Sequence, residues 1–258
     1  MNDIILEAIG LRKEFGGLVA VADVSLQIRR GSTHSIIGPN GAGKTTLFNL
    51  LNGKYAPTRG QVRFNGRDIT HTPVYRRVHQ GMGRSFQITN IFPNLTVLEN
   101  VRLAAQALGS DNFQLLRRAE TLKIYMQRAQ EALETVGLTN AAALPANVLP
   151  HGGKRKLELA ILLAGSPEIL LLDEPTAGMA SEQVPELIET ISAIRSQGNK
   201  TVVMVEHNMN VVMNISDTIT VMNLGKVLAE GTPTQITNNK IVQSVYLGEL
   251  YDLPGKAS

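Results

Sequence analysis

The chain contains no cysteine, which excludes disulfides, thiol redox chemistry and cysteine-ligated zinc. Tryptophan is also absent, and only 6 Phe and 5 Tyr are present. That leaves few rings for stacking single-stranded nucleic acid. Neither charge dominates: 25 Lys and Arg stand against 22 Asp and Glu, a formal net charge of +3 over 258 residues. So small an excess is too little to imply a polyanionic partner. The basic clusters Arg29-Arg30, Arg76-Arg77, Arg117-Arg118 and Lys154-Arg155-Lys156 are scattered. They are shorter than the ~5–8-residue tracts of nucleic-acid patches and read as solvated faces. No run reaches the ~18 apolar residues of a membrane span. The opening Met1-Asn2-Asp3-Ile4-Ile5-Leu6-Glu7 has neither a basic n-region nor a long apolar h-region, so a cytoplasmic location is expected. The five histidines, at 34, 71, 79, 151 and 207, lack metal-ligand spacing.

What the chain does have is the makings of a core. Hydrophobic residues make up 43% and charged residues 18%, in a length suited to one large domain or two small ones. The first 90 residues read as strands and turns. Ile4–Ile9 is apolar, 24–28 alternates, and His34–Ile37 is a short β-type run. A Gly-rich loop and a helix over Thr45–Leu51 follow, with Gly53 as its stop. Strands over 61–64 and 66–69 flank the turn pair Asn65-Gly66. From about 95 to 164 the spacing is helical, notably over 97–108 and 115–136. The last third returns to α/β, with apolar strands at 169–172 and 201–205. A helix is expected over 181–196, and a hairpin around Gly225.

Two motifs carry chemistry. Gly38-Pro39-Asn40-Gly41-Ala42-Gly43-Lys44-Thr45 matches G-x-x-x-x-G-K-[ST], between a strand and a helix. Glycines let backbone amides surround phosphates, Lys44 reaches the β/γ-phosphates, and the Thr45 hydroxyl is a Mg²⁺ ligand. The helix that begins here, through Thr46, turns its positive end to the same anion. The second motif is the apolar run Ile169-Leu170-Leu171-Leu172 ending in Asp173-Glu174. Beside a phosphate-binding loop these carboxylates suit a metal ligand, Asp173, and a residue that orients the attacking water, Glu174.

With these motifs in this order, nearly the whole chain resembles the nucleotide-binding subunit of an ATP-binding cassette (ABC) transporter. The resemblance implies an α/β fold: a P-loop NTPase cassette with a RecA-like core, an antiparallel β-subdomain and an inserted helical subdomain. One ABC ATPase domain would span 1–258, with the core over 1–90 and 165–258 and the helical subdomain over about 91–164. It implies that Gln87, in Arg84-Ser85-Phe86-Gln87, is the Q-loop glutamine touching Mg²⁺ and the catalytic water. It implies that His207, in Val205-Glu206-His207-Asn208, is the switch histidine, and that Phe15 stacks on adenine. Apart from the other motifs, His207 reads as a strand-end residue bonded to backbone, Phe15 as a core residue, and Gln87 carries nothing.

The signature motif of that family, Leu-Ser-Gly-Gly-Gln, falls at Leu149-Pro150-His151-Gly152-Gly153. Here Pro150 replaces the serine and Gly153 the glutamine. In the family this motif caps the nucleotide of the opposite subunit, so these departures bear on hydrolysis in the partner. Gly152 and Gly153 still offer amides at a helix start. Ala180 stands where many relatives carry the D-loop Asp. Segments 15–18, 173–179 and 245–249 look like the G-type ATPase of branched-chain or hydrophobic amino-acid importers. The expected cofactors are ATP and Mg²⁺. The expected partners are a second, non-identical ATPase, two permeases and an extracytoplasmic solute-binding protein, with no nucleic acid. Membrane contact would run through the permeases, at the cytoplasmic face. The alternatives are a lipid or lipopolysaccharide export ATPase and a soluble, non-transport ABC ATPase.

Overall fold

The computed structural model describes residues 3–85, 91–109, 119–196 and 200–251, with the backbone alone for 119–122 and 246–251. The chain forms two compact units, Met1–Arg77 with Val202–Ser258, and Val78–Thr201. In chain order the elements begin with β1 (Ile4–Phe15), β2 (Leu18–Arg29), β3 (Thr33–Ile37) and α1 (Lys44–Leu51). Then come β4 (Arg59–Phe64), β5 (Arg67–Asp68), α2 (Val74–His79), β6 (Met82–Arg84) and α3 (Val97–Ala107). α4 (Ala119–Thr135), α5 (His151–Leu163), β7 (Ile169–Asp173), α6 (Val184–Ser196) and β8 (Thr201–Val205) follow. The chain closes through α7 (Met209–Ile215), β9 (Thr218–Asn223), β10 (Lys226–Gly231), α8 (Pro233–Thr237) and α9 (Lys240–Tyr251).

In the first unit, β2-β1-β4-β5 form an antiparallel sheet. From Asp23 on, β2 alternates exposed and buried residues, as a strand with one solvated face must. Asn65 and Gly66, at φ 49° and 76°, supply the two positive-φ residues of a tight hairpin between β4 and β5. Leu224 and Gly225, at φ 46° and 78°, do the same between β9 and β10. The strands of the second sheet run β10-β9-β3-β8, with β3 parallel to both β8 and β9. β3 and β8 are buried along their whole length. That explains their unbroken β-type runs. Ile37, Ile219 and Val221 of this sheet pack with Val212, Ile236 and Val242 of α7, α8 and α9.

The second unit pairs β6 with β7 in parallel, Arg84 opposite Leu171, and carries the helices α3 to α6 among its described residues. Thr96 caps α3, its hydroxyl accepting from the Glu99 amide at 3.1 Å. Gly137, at φ 70°, ends α4. The Leu138 amide folds back to the Leu133 carbonyl at 2.8 Å, a left-handed stop.

Four departures from the sequence reading have physical causes. β1 and β2 run 12 residues each, because their half-exposed outer positions weaken the apolar signal. Helices α2, α7, α8 and α9 and strand β6 are too short or too even in polarity to show a period. Arg77 is not solvated. It is 1% exposed and donates to the carbonyls of Leu50, Leu51, Ile69, Thr70 and Thr72. Nor is the run 154–156 a solvated face, since Arg155 is held in hydrogen bonds and Lys156 pairs with Glu186 at 2.6 Å. Arg117-Arg118 lie outside the described residues.

His34 is a core histidine. Its Nε2 lies 2.7 Å from Thr220 Oγ1, and that hydroxyl donates to Glu230 at 2.8 Å. The hydroxyl's one proton is thus committed, so it accepts from a neutral His34. Burial pushes the imidazole down to about 4 from 6.5. Below pH 6.5 the unfolded chain takes a proton that the folded chain refuses, and stability falls until about pH 4. This group is expected to cost about 2 kcal/mol at pH 5 relative to pH 7.5. Urea midpoints at both pH values check this. The His34→Gln variant should show a flatter dependence, and an equal slope in both proteins would refute the assignment.

Candidate functional site

In the first unit, β3 and β8 are parallel with Ile36 opposite Val205, so both end at the same edge. Ligands of such sheets gather beyond the carboxyl ends of the strands. After β3 comes the loop 38–43, then α1. Two glycines are obligatory here. A Cβ on Gly38 (φ 149°) would sit 2.2 Å from the Met222 carbonyl oxygen, and one on Gly43 (φ 95°) 2.3 Å from the Ala20 carbonyl oxygen. The hairpin turn after β9 braces the loop: the Gly225 amide donates to Ala42 O at 3.0 Å, and Gly225 O accepts from Ala22 N at 2.8 Å. Ala42 is buried, while Asn40, Gly41 and Thr45 are exposed. Pro39, Gly43, Lys44 and Thr46 are half-buried. The Lys44 ammonium curls over the loop and donates to Gly38 O at 2.6 Å and Pro39 O at 2.8 Å. A cation beside a Gly-rich loop at a helix start is an arrangement that suits a polyphosphate.

After β8 come Glu206, fully buried, and His207, exposed. Glu206 Oε2 accepts from the amides of His207 at 3.1 Å and Asn208 at 3.2 Å. A buried carboxylate thus shapes the turn that presents the histidine. Nothing in the sequence marked it beyond an acid beside His207. Phe15, at the end of β1, is 44% exposed. It meets the edge of Tyr55 at a centroid distance of 5.5 Å, and Lys13 Nζ lies 5.1 Å from its ring. The ring is thus partly exposed, with Tyr55 and Lys13 against it. Nothing in the sequence pairs Tyr55 with Phe15.

In the second unit, β7 ends in Asp173, which is buried. The Asp173 amide donates to Ser85 Oγ at 2.9 Å, and the Ser85 amide to Leu171 O at 2.9 Å. The end of β6 is thereby stapled to the carboxylate-bearing end of β7. Glu174 follows at φ 46°, a left-handed conformation that costs roughly 1–3 kcal/mol in a residue with a Cβ. Gln87 lies outside the described residues. Pro150 is the residue just before α5, with ψ 166°, not its first helical residue. His151, Gly152 and Gly153 therefore form the first turn of α5, where amides lack intrahelical acceptors.

The Thr45 hydroxyl in the first unit and the Asp173 carboxyl in the second are each hard oxygen donors of the kind Mg²⁺ takes. Among the described residues no group of three or more His, Cys, Asp or Glu could hold a metal ion. No helix of the described residues is long and apolar enough to cross a membrane.

The family model for ABC transporters matches residues 21–177, and one for branched-chain amino acid ATP-binding cassette transporters matches 226–252. The chain is 42% identical over 256 residues to the high-affinity branched-chain amino acid transport ATP-binding protein BraF of Pseudomonas aeruginosa. That alignment covers 96% of this chain and 100% of the relative. It is 41% identical to LivG of Escherichia coli, similarly described, at the same coverage. It is 32% identical to the lipopolysaccharide export system ATP-binding protein LptB of Haemophilus influenzae, covering 96% and 99%. Among solved structures, the ADP conformation of MJ1267, an ATP-binding cassette of an ABC transporter, superposes with a TM-score of 0.83 at 28% identity. It covers 95% of this chain and 99% of that one. The match runs through the loop 38–45 and the end of β7, and the chain belongs to the ABC transporter family, as an ATP-binding subunit that hydrolyses ATP.

Proposed function

We propose that this chain powers an importer of branched-chain or neutral hydrophobic amino acids, working from the cytoplasmic face of the membrane as a peripheral subunit. The observation that carries this reading is the 41–42% identity to BraF and LivG along their whole length. The C-terminal match over 226–252 supports it. The partners are two permeases, an extracytoplasmic solute-binding protein and a second ATPase. Pro150 offers neither hydroxyl nor N–H to a nucleotide across the interface, which favours a second ATPase of different sequence. The whole chain, 1–258, acts as one ATPase domain, with about 91–164 as its helical part.

Each residue has a task. Glycine and other loop amides within 38–43, where Pro39 has no N–H to give, bind the phosphates with Lys44, and Phe15 stacks on the base. Thr45, Asp173 and Gln87 hold Mg²⁺, which when bound offsets phosphate charge. Glu174 orients and polarises water, and His207 contacts the γ-phosphate end. Gly152 and Gly153 turn amides toward the partner's nucleotide. A lipopolysaccharide-export role is the second reading, favoured by the full-length likeness to LptB.

Gentle purification of the tagged chain from native membranes separates the two. The expected companions are two permeases, a second ATPase and an amino-acid-binding protein. Recovery of a lipid-export complex would overturn the importer reading and leave the ATPase assignment standing.

A further inference from the structure

Arg155 belongs to none of the family motifs above. Its side chain is 11% exposed, as is that of its ion-pair partner Glu158. A guanidinium carries five donors in a rigid fork, and most of this fork is aimed at one turn. Nε donates to the Pro175 carbonyl at 2.9 Å, and Nη2 donates to the carbonyls of Glu174 at 3.2 Å and Asp173 at 3.3 Å. Nη1 pairs with Glu158. One side chain of α5 therefore holds three consecutive carbonyls of the turn that bears both carboxylates. That turn is also the strained one, with Glu174 at φ 46°. Such a conformation persists only where the surroundings impose it.

The opposite end of the connection is equally specific. Gly152, Arg155 and Glu158 recur every three residues and so share a face of α5. A Cβ on Gly152 would meet the Gln183 side chain at 3.6 Å, and one on Gly178 would meet His151 Nε2 at 3.5 Å. The first turn of α5, which carries the signature residues, and its second turn, which carries Arg155, both rest on the segment 173–183.

We infer that Arg155 is a positioning residue for Glu174, linking the signature turn to the backbone that aims the Glu174 carboxylate. This rests on Glu174 being the group that polarises water. Arg155 acts through that backbone, not on the nucleotide. Lysine cannot replace it, because a single ammonium cannot span three carbonyls and hold Glu158 at once.

The test uses the assembled transporter and compares wild type, Arg155→Lys, Glu174→Gln and the double variant. Arg155→Lys is expected to lower kcat about tenfold or more, with KM for ATP and Tm little changed. In the Glu174→Gln background the same substitution should have almost no effect, since the two act at one point. Glu158→Gln, which removes the anchor but keeps the fork, should lower kcat by a smaller factor. It carries the same comparison should Arg155→Lys not fold. Unchanged kcat, a loss matched by equal losses in affinity and Tm, or an equal loss in the Glu174→Gln background would overturn the inference. Normal turnover by Glu174→Gln alone would instead remove the role of Glu174, and the role of Arg155 with it.

Discussion

Glu174→Gln is expected to bind ATP within about threefold of wild type and to turn it over at least ~100-fold more slowly. The substitution keeps side-chain length and shape and removes only the negative charge. In the proposed function the phosphates are bound by the loop 38–43 and Lys44, which the substitution leaves unchanged, as it does Asp173. What it removes, on that proposal, is the anion beside the attacking water. Gln can still accept a hydrogen bond but cannot polarise that water or take its proton. The backbone argues against an incidental role for this position. Glu174 is held at φ 46°, pinned by the Ala177 amide at 3.0 Å and by Arg155. Strain of that kind is kept where a side chain must point one way. Phosphate release and binding of labelled ATP, measured on the same preparation, check the split. Near-normal turnover would reject the assignment.

Arg77→Met is expected to destabilise the protein by about 3 kcal/mol or more, which lowers Tm by roughly 6–12 °C in a chain of this size. Two of the carbonyls that Arg77 reaches lie at the end of α1: Leu51 at 2.7 Å, and Leu50, which also accepts from the Gly53 amide at 3.2 Å. Three more belong to the segment 69–72. Burial lowers the guanidinium to about 10, so it remains charged at neutral pH and its donors remain in place. Methionine fills much of the volume and supplies no donor. The space is shaped to the guanidinium: a Cβ on Gly53 would lie 2.5 Å from Arg77 Nε. Removing the cation also removes its own desolvation cost, which moderates the loss. The acceptors left behind are several, and that decides the sign. Thermal unfolding of both proteins at one pH is sufficient. A change under 1 °C would show that water replaces the guanidinium at no cost.

The parts of the site that were legible in sequence share a property: their chemistry is set by residue type at fixed spacing. Gly38, Gly43, Lys44 and Thr45 could be named from the spacing G-x-x-x-x-G-K-[ST], and at Gly38 and Gly43 a carbonyl 2.2–2.3 Å from a would-be Cβ shows why glycine stands there. Asp173 and Glu174 could be named because an apolar run of four ends in two acids. The hairpins at 65–66 and 224–225 were legible through their turn residues. What could not be read depends on distant chain segments meeting. Arg77 and Arg155 sit in basic runs that look solvated, and only the fold brings carbonyls from residues 50–72 or 173–175 against them. Glu206 reads as one more acid until its carboxylate is seen to accept from the amides of His207 and Asn208. The helices after residue 206 are short, and their burial is set by the sheet they cover, so no period announced them.

The central claim is that ATP hydrolysis by this chain drives amino-acid uptake. It is tested most directly by uptake of labelled leucine, isoleucine and valine into cells whose own copy is replaced by wild type or by Glu174→Gln. Uptake restored by wild type and abolished by Glu174→Gln, at equal assembly with the permeases, is the expected result. Equal uptake with both proteins, or no dependence on this chain beside a defect in lipid export, would contradict it.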